Sequence, residues 1–249
     1  LQIIILQVSI TGIIALGVTM VIILGGIDLS SGSVVGATAM IAMSFAQTAT
    51  VNGAPNPKAI FGDWAMDLPV IVPIVVGLAC GLVAGLINGL LIAYTRIPPF
   101  IATLGVMVSA RGVARWWSNG QPVSFPTDAY GSLANGDILG TLTFGVFNWQ
   151  GQNPAVVFVV LAVLFHIVMT YTLYGKRCYA IGSNEAAARM SGINVDRHKV
   201  LVYVIAGVLA AVAAILLTSK NLTAQAGMGM MYELDAIAMA VIGGISLAG

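Results

Sequence analysis

Charge is what this sequence has least of. Of its 249 residues only 8% are charged, 10 Lys and Arg against 9 Asp and Glu, where a soluble domain carries about a quarter. So sparse and balanced a set builds no phosphate-tracking face, which excludes nucleic acid as a partner. Two cysteines, Cys80 in an apolar run and Cys178 in a polar stretch, exclude a disulfide framework. Two histidines, His166 and His198, lack the spacing of a metal site. There is no Gly-x4-Gly-Lys-Ser/Thr loop and no Gly-x-Ser-x-Gly elbow. No constellation of an enzyme is left, so the chain is expected to be none.

What remains is hydrophobic: 59% apolar residues and a mean hydropathy of +0.98. The apolar runs are long and continuous, without the short alternating segments of a barrel, so the fold class is all-α, a polytopic transmembrane bundle. Runs cover residues 1–24, 34–47, 69–94, 100–117, 154–174, 201–218 and 232–242. Residues 1–249 read as one transmembrane domain. Leu1 opens without Met or a basic flank and Gly249 closes without a polar one, so the expectation is a middle portion with further spans at both ends.

Breaks in these runs are more informative than the runs. GGIDLSSGS (25–33) sets glycines and serines around an acid at membrane depth, the mark of a broken helix, tolerated only where protein or a wet cavity surrounds it. Asp28 has two readings there: a cap for the helix that restarts near Ser30, or part of a polar path with Ser30 and Ser33. Gly-Gly-Ile-x-Leu recurs in GGISLAG (243–249), as in transporters that duplicate a bundle. Gly77, Gly81, Gly85 and Gly89 form a smooth ridge for tight packing, offered here as a surface between copies. A charge within a span costs about 2.5–3.5 kcal/mol, which singles out Arg111 and Arg115, one turn apart. Arg115 is expected to snorkel beside Trp116 and Trp117, an interfacial belt, leaving Arg111 for pairing or pathway work. Glu233 and Asp235 suit the first turn of the last run.

Residues 175–200 form the one long charge-rich passage. Its middle predicts a helix of about two turns over 185–191: Ser183 or Asn184 as cap, Glu185 in the first turn, Ala186, Ala187 and Ala188 as strong formers, and Gly192 as a left-handed stop. Glu185 and Arg189 are placed to pair, with Ala188 and Met190 as contact surface. Arg96, Lys176, Arg177, Arg189, Arg197 and Lys199 fall on one side of the membrane and Lys58 and Lys220 on the other, which puts this passage in the cytoplasm and the loops 48–68 and 118–153 outside.

Several blocks carry a resemblance: GGIDLSSGSVVG, INGLLIAYTRIPPFIATLG, SARG followed by NGQPVS, YAIGSNEAAARMSGINV and MYELDAIAMAVIGGISLAG. In this order and over nearly the whole chain they resemble the membrane permease subunit of ribose-, xylose- and galactose-type ABC sugar importers. The resemblance implies a multi-pass permease of the bacterial inner membrane, paired with a second copy around a central path, in a fold similar to the vitamin B12 importer. A cytoplasmic ABC ATPase that binds ATP and Mg would drive it, a periplasmic sugar-binding protein would deliver a pentose, hexose or polyol, and lipid would surround it. No cofactor is expected in this chain. Asn184, Glu185, Ala186, Ala187, Ala188, Arg189 and Gly192 would then couple to the ATPase. The wider docking motif places three residues between Glu-Ala-Ala and Gly, whereas four separate Ala187 from Gly192 here. The other reading is a stand-alone secondary transporter or channel for a small polar solute, which needs an ionisable coupling site within its spans.

Overall fold

The computed structural model describes residues 2–137 and 152–246. The end of GGISLAG and part of the second external loop lie outside them. It is an all-α bundle, with four helices among the described residues long and apolar enough to cross a membrane. Helix α1 (Gln2–Ile23) precedes the break. Helix α2 (Ser31–Ser44) follows it, then α3 (Ile71–Tyr94), α4 (Pro99–Trp117), α5 (Asp128–Asn135), α6 (Asn153–Tyr171), α7 (Leu173–Ser183), α8 (Glu185–Met190), α9 (Val195–Asn221) and α10 (Tyr232–Ile242).

The hub is α9. Ala206, Gly207, Ala210, Ala211, Ala213 and Ala214 are all buried on it, and small side chains let neighbouring backbones approach where lipid gives no hydrophobic drive. The glycines of α3 meet this face. A Cβ on Gly81 would collide with the Gly207 carbonyl oxygen, one on Gly85 with that of Tyr203, and one on Gly207 with that of Gly81. The ridge is therefore used up inside the chain, which corrects its expected place between copies.

At 14 residues, α2 is about 21 Å long, too short for a core of about 30 Å. It can be short because it is enclosed: α3, α4 and α9 surround it, and only Ile41 escapes burial. By contrast α6 is peripheral, exposing Val159, Val160, Val163, Leu164 and Ile167 along its length.

Side chains tie the outer loops to the bundle. Fully buried Gln47 donates to the carbonyls of Lys58 (2.8 Å) and Ser124 (2.9 Å) and accepts from Ile60 N (3.0 Å). Helix α5 lies within the span expected as loop, held by Tyr130 Oη against Thr218 Oγ1 (2.7 Å) and by Ser219 Oγ donating to Tyr130 O (2.7 Å). The pair of tryptophans splits: Trp116 is 74% exposed, while Trp117 turns inward to donate to Ser44 Oγ (3.0 Å). Only Trp116 is left for an interfacial belt.

On the opposite side the polar passage and the residues just before it hold three helix starts where the sequence reading expected one. Thr172, Asn184 and Asn194 each cap, accepting from the amide three residues on in Gly175 (3.3 Å), Ala187 (2.9 Å) and Arg197 (3.1 Å). As a result α9 starts at Val195 instead of near residue 201, and His198 lies in its first turn, stacked on Tyr174 at 5.6 Å.

Candidate functional site

Among the described residues, three places hold the polar side chains singled out from the sequence. The first is the break itself, where Gly25 (φ +73) ends α1 in a conformation other residues rarely adopt. Asp28 Oδ1 accepts from Ser30 N (2.8 Å) and Ser30 Oγ (2.7 Å), and Asn88 Nδ2 of α3 donates to the same hydroxyl at 2.7 Å. Thr103 Oγ1 of α4 accepts from Leu29 N at 3.3 Å. Asp28, Ser30, Asn88 and Thr103 are all buried, so the break is a closed knot joining α2, α3 and α4, in which Asp28 holds Ser30, the residue before α2, while no side chain caps the start of that helix. Asn88 and Thr103 were not singled out from the sequence. The available signal was an amide and a hydroxyl in otherwise apolar runs, each needing a partner.

This geometry predicts that Asp28→Asn is mild and Asp28→Leu severe. The amide oxygen of Asn still accepts from Ser30, whereas Leu leaves a buried amide without a partner, at a cost of about 1–3 kcal/mol. Thermal unfolding of the purified protein is the measurement. An equal loss with both variants would assign Asp28 a role that needs its charge.

The second place lies between α2, α4 and the segment before α10. Gly32 and Gly36, one turn apart on α2, leave room for the backbone of residues 226–229, which turns at Gly229 (φ +73). Arg111 clamps that segment, donating through Nη1 to the carbonyls of Ala226 and Met228 at 3.0 Å each. Glu233 packs its carboxylate against Gly32, and its Oε2 is buried without a hydrogen-bond partner. Ser33, Arg111, Arg115, Met230 and Glu233 line one cavity of about 390 Å³. The structure thus brings Ser33 and Arg111 together and leaves Asp28 and Ser30 in the knot. Glu233, read from the sequence only as a favourable helix start, joins the cavity because α10 packs its first turn against the start of α2.

The third is α8. Asn184 caps it and Gly192 (φ +81) ends it, as expected. Glu185 takes Arg189 at 3.0 Å and Lys199 at 2.8 Å, and Arg189 reaches on to Asp196 at 3.1 Å, so an ion-pair lattice ties α8 to the first turn of α9. Lys199 holds the Glu185 carboxyl below its ordinary range, and Arg189 does the same for Asp196. Lowered carboxylate pKa values keep the lattice charged at neutral pH, and its contribution is lost only as pH falls through those lowered values. Ala188 departs from expectation. It is buried in a cluster with Ile181 and Val195, so it faces the bundle, while Ala186, Arg189 and Met190 (84% exposed) face out. Leu24, which immediately precedes the break, packs against this cluster, so the cluster abuts the end of α1.

Comparison with known proteins gives these places a context. The family described as "Branched-chain amino acid transport system / permease component" matches residues 1–249. Similar relatives include the ribose import permease protein of Bacillus subtilis, 41% identical over 247 residues, 98% of this chain and 67% of the relative. The galactose/methyl galactoside import permease protein of Haemophilus influenzae is 36% identical, covering 98% and 70%. The xylose transport system permease protein of Escherichia coli is 35% identical, covering 98% and 70%. No solved structure matches.

Proposed function

The chain belongs to this permease family, and from that membership we propose that it is the membrane-spanning subunit of an ABC importer that moves a monosaccharide inward across the bacterial inner membrane. The observation that carries the reading is 41% identity to a ribose import permease over 98% of the chain. The family description names branched-chain amino acids, but relatives named for ribose, galactose and xylose favour a sugar. Residues 1–249 act as one transmembrane permease domain. ATP and Mg belong to a cytoplasmic ATPase docked on the outward face of α8, a periplasmic binding protein presents the sugar, and a second copy of the chain completes the path.

Along that path we place Ser33, Arg111 and Glu233, whose hydroxyl, guanidinium and carboxylate are, with Arg115, the polar groups of a cavity otherwise walled by Met107, Val108, Gly112 and Met230 and can meet sugar hydroxyls. Asp28 and Ser30 shape the break beside it. The partner ATPase supplies the unequal stabilisation of inward- and outward-open states that transport needs.

Uptake of labelled ribose, galactose and xylose, with the ATPase present and deleted, tests this reading. We expect ATPase-dependent accumulation of unmodified sugar, and a Ser33→Cys thiol whose reactivity changes during transport. Accumulation without the ATPase would mark a stand-alone transporter instead.

A further inference from the structure

A cavity larger than that of Ser33, Arg111 and Glu233 lies apart from these polar places. It is a groove of about 820 Å³ on the side of α2, α3 and α4, walled by Val34, Val76, Val83, Ile87, Ile101 and Val106. Its hydroxyls are those of Thr38 and Ser109, and Ser109 is already bonded to the Gly105 carbonyl (2.9 Å). A sugar needs a partner for nearly every hydroxyl it buries, so the lining rejects the transported solute.

What it accepts is indicated at its cytoplasmic end. Ile97 lines the groove and also a second cavity of about 450 Å³, walled by Arg96, Pro98, Glu185, Arg189 and Lys199. Arg189 and Lys199 are engaged by Glu185 and Asp196. Arg96 acts on Asp196 only through its field, and among the described residues no hydrogen bond or ion pair holds its guanidinium. Three cations against two carboxylates leave one positive charge over. Between Tyr94 and Pro98 the chain turns, with Arg96 at φ +57, which fixes that charge at the rim where the apolar wall ends.

We propose that the groove, with Arg96 at its mouth, is a binding site for a membrane phospholipid with an anionic head group. Along α3 the wall from Val76 to Leu91 is about 22 Å long, enough to shelter acyl chains through one leaflet of about 15 Å. The guanidinium meets the phosphate with paired, charge-assisted hydrogen bonds. A basic residue near an anionic surface contributes about 1 kcal/mol, a preference of about fivefold.

The complete transporter, reconstituted with equal phosphatidylglycerol and phosphatidylethanolamine and then stripped with detergent, is weighed by native mass spectrometry for retained lipid. Wild type should keep phosphatidylglycerol in preference. Arg96→Asn tolerates the left-handed backbone and should lower that preference about fivefold. Gly105→Phe should lose both lipids, because a Cβ there meets nothing within 4 Å and the ring fills the groove. Equal retention of the two lipids by wild type, or an unchanged preference in Arg96→Asn, would overturn the site. So would a Gly105→Cys variant that cross-links to a second copy, because protein would then cover the groove.

Discussion

Replacing Gly85 by alanine is expected to lower the amount of protein in the membrane several-fold, and by valine about tenfold or more. Helix propensity alone predicts the opposite, since alanine is favoured over glycine by about 1 kcal/mol within a helix. Contact decides the sign. A Cβ at Gly85 would collide with the Tyr203 carbonyl oxygen and would lie 2.8 Å from the Val204 Cα, and backbone atoms of a packed helix cannot swing aside as a side chain can. Gly81 and Gly207 would meet each other in the same way, so α3 and α9 would have to part along several turns. Gly105→Val is the control, because its Cβ would enter open space. Membrane abundance and thermal unfolding of the purified protein are the readouts. Undiminished abundance of Gly85→Ala would show that α3 and α9 do not touch as described.

The glycine ridge also shows where sequence reasoning stops. Spacing of Gly77, Gly81, Gly85 and Gly89 revealed a surface for close packing, because small residues at i and i+4 share a helix face. It could not name the partner, since the alanine-rich face of α9 and a second copy are equally good surfaces for it. Long spans were legible because bilayer thickness sets their length, and the break at residues 25–33 was legible because few apolar helices tolerate an acid among glycines. Helix α7 was missed for the converse reason. Its buried Gly175, Cys178 and Ile181 recur at helical spacing, but Lys176 and Arg177 between them gave a reading by charge that hid the period. The inward turn of Ala188 was likewise hidden, because one small apolar residue on a two-turn helix does not tell core from docking face. At the cavity, Ser33 and Arg111 drew notice by residue type, whereas Glu233 enters through tertiary packing that no local pattern encodes.

Helix α8, under the proposed docking to an ATPase, gives the second large effect, and one that separates stability from transport. Glu185→Lys places a third cation beside Arg189 and Lys199, reverses the charge in the first turn of α8, and removes one of the two ion pairs that join α8 to α9, leaving Arg189 to Asp196. Folding should hardly notice. Side chains of Glu185 and Arg189 are 43% and 42% exposed, and ion pairs so open to water contribute about 0–1 kcal/mol. Transport should fall at least about tenfold, because that factor corresponds to only about 1.4 kcal/mol of misplaced coupling. Through Ala188 the helix joins a cluster with Ile181 and Val195 against which Leu24 packs, and Leu24 leads into the break held by Asp28, Ser30 and Asn88. On the proposed docking, a push on α8 from an ATPase reaches the broken helix through this cluster when α8 is held to α9 as a unit. Gly192→Val tests the same unit from its other end: its φ of +81 strains any residue with a Cβ, while the open space around it avoids a clash. Both variants should insert normally and let the ATPase turn over without accumulating sugar. ATP hydrolysis and vesicle uptake, measured together on the purified complex, check this. Normal uptake with both would reduce α8 to a topological anchor.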